Sequence, residues 1–121
     1  MGNFRELDVW KKAKDLAVEI YKLTENDSFK RDFSLRDQIR RAAVSIPSNI
    51  AEGDERFSNK ESIRYFYIAN GSIAELITQL LICKEIGYLS ESEVDMFLSE
   101  LEKLSKMIKT LIKYRVSNER K

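Results

Sequence analysis

The chain has 121 residues, 43% of them apolar and 34% charged, with one proline, four glycines and a formal charge of +1. That length suits a single domain, residues 1–121, with a core of its own. The near-neutral charge excludes a global field for nucleic acid or an anionic membrane, and the absence of histidine removes Ser-His-Asp hydrolysis, Cys/His zinc sites and the Glu-x-x-His di-iron bundle.

Helix 1 is predicted over about residues 7–24. Val9, Trp10, Ala13, Leu16, Ala17, Ile20 and Leu23 recur at steps of one, three and four, which lays one apolar stripe along a helix. Phe4 and Leu7 stand just before it, placed to close the end of a bundle, and Asn26, Asp27 and Ser28 break the pattern. Helix 2 is predicted over about 34–52, with Ser34 as its cap and Gly53 as a left-handed stop. Inside it Ile39, Ile46 and Ile50 hold one phase across Pro47. A mid-helix proline removes one donor and crowds the carbonyl of Ala43, at a cost of ~3 kcal/mol. A kinked continuous helix is therefore expected.

Helix 3 is predicted over about 59–86. It opens with Ser58-Asn59-Lys60-Glu61, a capping-box pattern, and stops near Gly87. Helix 4, about 91–115, opens with Ser90-Glu91-Ser92-Glu93 and carries Val94, Phe97, Leu101, Leu104, Ile108 and Ile112 inward. Periodicity fades from Tyr114 to Lys121, where fraying is expected. Short connections make sequential helices antiparallel. The expected fold is all-α: an up-down-up-down antiparallel four-helix bundle with helix 2 kinked near Pro47.

Four stretches then carry a resemblance: Phe4-Arg5-Glu6-Leu7 with Val9-Trp10-Lys11-Lys12-Ala13; the run Gln38 to Gly53, containing Ser45-Ile46-Pro47-Ser48-Asn49-Ile50-Ala51-Glu52-Gly53; Tyr65-Phe66-Tyr67-Ile68-Ala69 with Gly71-Ser72-Ile73-Ala74-Glu75-Leu76; and Gln79-Leu80. Together they closely resemble the bacterial four-helix-bundle proteins encoded in intervening sequences of 23S ribosomal RNA genes. The chain also resembles the accessory bundle of diversity-generating retroelements, which works beside a reverse transcriptase and binds nucleic acid. The resemblance implies a homo-oligomer, commonly a pentameric ring, and supplies no catalytic residues.

Two groups of residues are candidates for function. Gln38, Arg41, Ser45, Asn49 and Glu52 on helix 2 can face Ser72, Glu75 and Gln79 on helix 3, forming either a ladder that sets helix register and subunit contacts or a ligand stripe. Glu52 with Glu75 would imitate a catalytic carboxylate pair. Lys106, Lys109 and Lys113 on helix 4, with Arg36 and Arg40 on helix 2, offer phosphate contacts that a ring would multiply; a merely solvated face is the plain alternative. Gly71-Ser72 suggests close approach of another helix near Pro47. Tyr65, Phe66 and Tyr67 in a row cannot all point inward, and Tyr67 is expected outside. Cys83 reads as a small core residue.

From the sequence we expect a non-enzymatic, homo-oligomeric adaptor associated with RNA or a nucleoprotein, the alternative being a protein-protein scaffold with no nucleic-acid binding. No catalytic residue, cofactor or metal is expected. A lone cysteine, no apolar leader in residues 1–6 and no run of ~18 consecutive apolar residues make the expected setting the cytoplasm, without a membrane.

Overall fold

A computed structural model describes residues 3–118, and among them all regular structure is helical. A 3-10 turn, Phe4–Glu6, leads into α1, Asp8–Leu23; a second, Asp27–Arg31, leads into α2, Phe33–Asp54; α3, Asn59–Glu85, and α4, Glu91–Ser117, follow. Packing is densest between α2 and α3, and α1 meets α4 only sparingly, while α2 and α4 sit on a diagonal. Opposite ends of the bundle are identified by their contacts. Tyr88 beyond α3 donates to Asp32 before α2, and Arg115 near the end of α4 donates to Asp54 at the end of α2. The result is the expected up-down-up-down bundle.

The core forms where the periodicity put it. Ile20, Ile39, Ile46, Ile50, Phe66, Leu80, Leu101, Leu104 and Ile108 are fully or almost fully buried. Phe29 joins them from the second 3-10 turn, 1% exposed and edge-on to Tyr88 at 5.4 Å; the loop assignment had given it no role. At the other end Phe4 meets Trp10 edge-to-face at 5.1 Å. α2 runs through Pro47 as one helix, with Pro47 itself buried.

Several local expectations are corrected. Asp32, not Ser34, caps α2: its Oδ1 accepts from the Leu35 amide at 3.1 Å, while Oδ2 accepts from the Tyr88 hydroxyl at 3.0 Å. One carboxylate thus ends two elements at once. Gly53 is not a left-handed stop but a buried residue inside α2. A Cβ there would lie 2.6 Å from Phe66 Cε1, so the glycine is required by close helix approach. Gly71, by contrast, faces open space, and it is Ser72 that turns toward α2. Gly87, at φ +81°, does end α3. Its amide and that of Tyr88 donate to the carbonyls of Lys84 and Cys83, closing a Schellman turn. α4 continues to Ser117 without fraying over 114–117, because Arg115 is buried; residues 119–121 of that expectation lie outside the described residues.

Ser58 and Ser90 cap α3 and α4 as read from sequence, and Ser90 with Glu93 completes a reciprocal capping box. α3 departs in another way. It contains no run of ~18 consecutive apolar residues, yet an 18-residue window within it reaches a mean hydropathy of 1.4, long and apolar enough by composition to cross a bilayer. The reason is a helix apolar on two faces. Phe66, Ala69, Ile73, Leu76, Leu80 and Cys83 form the inner one. Tyr67, Ile68, Leu81 and Ile82 stand exposed on the outer one.

Candidate nucleic-acid interface and polar seam

Lys106, Lys109 and Lys113 fall at steps of three and four on α4, off the phase of the buried Leu104, Ile108 and Ile112. All three are exposed and make no ion pair among the described residues, whereas Lys103 one turn earlier is held by Glu100 at 3.4 Å. The lysines form a ridge between two grooves. On the α1 side lies a slot of about 470 Å³ lined by Val9, Lys106, Met107, Thr110, Leu111 and Tyr114. On the α3 side a smaller one of about 380 Å³ takes in Asn70, Glu102, Ser105, Lys106 and Lys109. Ser105 closes its floor by donating to Asn70 Oδ1 at 2.7 Å.

Arg36 and Arg40 do not join this ridge, since they stand near the start of α2 on the opposite corner of the bundle. Arg36 lies 4.5 Å over the Phe33 ring and donates twice to Asp37 Oδ1 at 3.2 Å. Arg40 donates to Thr24 Oγ1 at 2.8 Å and to the Tyr21 carbonyl at 3.2 Å, its guanidinium 4.5 Å above the Tyr21 ring. These bonds satisfy acceptors at the end of α1, where a helix leaves carbonyls without partners. Its first role is to bind α1 to α2.

The polar stripe resolves into parts. Ser45 Oγ and Ser72 Oγ meet at 2.9 Å across the α2–α3 seam, and Asn49 Nδ2 donates to the carbonyl and hydroxyl of Ser45 at 2.8 and 2.9 Å. This trio is a register ladder one turn from Pro47. Glu52 points away from it to Arg56, whose Nη2 also donates to the Tyr65 hydroxyl at 2.7 Å. Gln38 donates to Ser34. Arg41 and Glu75 share a notch of about 200 Å³ with Gln38, Ala42 and Ser45, yet make no ion pair with each other. Gln79 is buried, with Oε1 unpartnered among the described residues. Glu52 and Glu75 stand at different levels of the seam and form no pair. Tyr67 is 60% exposed, on the outside as expected.

A cluster that sequence reasoning missed closes the end of the bundle. Arg115 Nη2 donates to Asp54 Oδ1 at 2.7 Å and Nη1 to Ser62 Oγ at 3.2 Å, with the guanidinium 5.5 Å over the Phe66 ring. Asn59 Nδ2 donates to the carbonyls of Arg115 and Asn118. The signal was present: Leu104, Ile108, Ile112 and Arg115 continue one helical stripe, which places the arginine inward. Cys83 is fully buried, and burial, with a smaller contribution from the Asp32 charge, pushes its thiol up to about 11. Among the described residues no three His, Cys, Asp or Glu side chains gather as a metal site.

Comparison with known proteins places these features in context. The family model described as "23S rRNA-intervening sequence protein" matches residues 5–110. A crystal structure of a protein of unknown function from the S23 ribosomal protein family of Bacteroides thetaiotaomicron VPI-5482 superposes with a TM-score of 0.79 at 25% identity, covering 87% of this chain and 98% of that one. No curated protein matches the chain.

Proposed function

The chain belongs to the 23S rRNA-intervening sequence protein family, and from that premise we propose that it is a non-enzymatic, self-associating bundle acting as an adaptor for structured RNA or ribonucleoprotein. The observation that carries this reading is the ridge of Lys106, Lys109 and Lys113, three exposed ammonium groups with no acidic partner among the described residues. Lys12, Lys14, Lys22, Lys30 and Lys103 are paired with an acid, whereas these three, like Lys11, Lys60 and Lys84, make no ion pair among the described residues. A ridge whose ammonium groups make no ion pair, even with Glu102 in the flanking groove, suits phosphate contacts, which position a protein without reading bases.

Self-association is supported by the outer face of α3, and the ring of five is what the family resemblance implies. Ile68, Gly71, Glu75, Thr78 and Ile82 follow one another at three and four residues, beside Tyr67, Ala74 and Leu81, and all are exposed. A solvated helix face normally carries charge, and an apolar heptad seam normally meets another helix. Glu75 within that face and Arg41 beside it carry opposite charges and make no ion pair among the described residues, so a second copy is a fitting partner. The same face supports the other reading, a protein-protein scaffold without nucleic-acid binding. With its single cysteine buried, the proposed setting is the reducing cytoplasm.

The test is RNA affinity against salt concentration. Binding should fall linearly with log salt, and replacing Lys106, Lys109 and Lys113 together by Gln should flatten the slope by about two to three per protomer while weakening all sequences equally. No binding by the unaltered protein at low salt, where such contacts are strongest, assigns it to the scaffold reading. Light scattering that finds only monomer at micromolar concentration removes the ring.

A further inference from the structure

We propose that the slot between α1 and α4 receives an unpaired nucleobase, which makes looped or single-stranded nucleic acid, rather than duplex, the ligand of the lysine ridge. This rests on the reading that the ridge contacts phosphates, and it adds a selectivity that the lysines alone do not supply.

The slot exists because α1 and α4 meet sparingly, leaving the wall between them unfilled. Its volume of about 470 Å³ lies within the range of small-ligand pockets, roughly 300–1,000 Å³. Met107 and Leu111, one turn apart and half-buried, give it an apolar floor. Tyr114 stands at its edge, 60% exposed, its ring stacked on no other ring or cation among the described residues. Lys106 belongs to both slot and ridge. A phosphate drawn to the ridge therefore arrives with its base beside an apolar recess and an idle aromatic face.

Charge decides between occupants. An apolar peptide segment would fill the slot but leave the ammonium groups unanswered. A single-stranded nucleic acid supplies anions at backbone spacing together with flat apolar faces, and base–aromatic stacking tolerates any sequence. In a duplex the bases are stacked and paired, and an A-form helix offers side chains mainly phosphates and 2′-hydroxyls. A second copy of this chain is the rival occupant, since exposed Met96 beside Asp95 on α4 brings an apolar group and an acid together.

The experiment measures fluorescence anisotropy of a labelled, unstructured RNA of about 12 nucleotides, a length such sites cover, against the blunt duplex of the same sequence. Unaltered protein, Tyr114→Ala, Tyr114→Phe and the triple Lys106/Lys109/Lys113→Gln variant are compared at one salt concentration, with circular dichroism confirming the fold of each. The single strand should bind about tenfold more tightly than the duplex. Tyr114→Ala should cost the single strand at least about fivefold and leave the duplex unchanged, Tyr114→Phe should keep the selectivity, and the lysine variant should weaken both ligands. Equal affinity of the unaltered protein for both ligands, or a Tyr114→Ala effect that is absent or the same on both, overturns the base slot and leaves the phosphate ridge standing. Failure of the unaltered protein to bind either RNA overturns the ridge as well. A drop in sedimentation mass on Tyr114→Ala, with RNA selectivity unchanged, gives the slot to a second copy.

Discussion

Replacing Arg115 by Met removes the cation from the Asp54–Ser62–Asn59 cluster while keeping a side chain that can still pack on Phe66. The Arg115 and Asp54 side chains are 10% and 3% exposed, and their bond is 2.7 Å long. Without the guanidinium, Asp54 keeps a carboxylate with no partner on Oδ1, and Oδ2 already has none among the described residues. Breaking a buried pair from one side costs about 3–5 kcal/mol. An unfolding entropy of roughly 2.1 cal/mol/K per residue gives about 0.25 kcal/mol/K for a chain of this length, so Tm should fall by about 12–20 °C. Calorimetry or a thermal dichroism scan measures it directly. The double change Asp54→Leu with Arg115→Met should recover most of the loss, because a well-packed apolar replacement of a buried pair is often neutral or better. A fall of less than about 4 °C for Arg115→Met alone, equivalent to about 1 kcal/mol, would show that the cluster is solvated and the reasoning mistaken.

Two glycines separate packing from propensity. Gly53→Ala forces a methyl against Phe66 and should destabilise by about 1–3 kcal/mol in denaturant titration; Gly71→Ala meets open space and should stabilise the monomer by up to about 1 kcal/mol, while weakening self-association if α3 is the seam between copies. Asp32→Ala should cost about 1–2 kcal/mol through loss of the cap, and Ser34→Ala a few tenths at most; equal effects would return the cap to Ser34. Cys83, with its thiol raised to about 11, should resist alkylation at pH 8 until the protein unfolds. The unfolded thiol ionises near its ordinary value while the folded one keeps its proton, so the contribution to stability is complete below about pH 9 and declines as pH rises toward about 11. A stability profile that rises across that range would contradict the burial.

The fold was legible because the long apolar stripes were consistent and because two of the caps, Ser58 and Ser90, were local in sequence. What escaped had non-local causes. Gly53 looked like a helix stop until Phe66, thirteen residues on, was seen to need its missing side chain. Asp32 outcompeted Ser34 because Tyr88, from another loop, gives its second oxygen a donor. Arg115 was given no role from sequence, since only the fold reveals Asp54 and Ser62 beneath it. Of the candidate site, Ser45, Asn49 and Ser72 came together as their spacing required. Arg36 and Arg40 shared a charge sign with the lysines but not a surface, because equal spacing on diagonal helices carries no information about which faces align.

The sparse contact between α1 and α4 has a kinetic meaning. Neighbouring helices α2 and α3 pack most densely and can find each other with little loop entropy, so they form the natural early hairpin. α4 is then fastened by α3 and by the Arg115 cluster, and its edge against α1 holds through little more than the Lys12–Glu100 pair at 3.1 Å. Sub-global opening should begin along that edge. Amide exchange in the outer turns of α1 should run ahead of exchange at Ile46, Ile50 and Leu76, and anything seated between α1 and α4 should slow it first, acting as a bolt on the one side of the bundle that is free to swing.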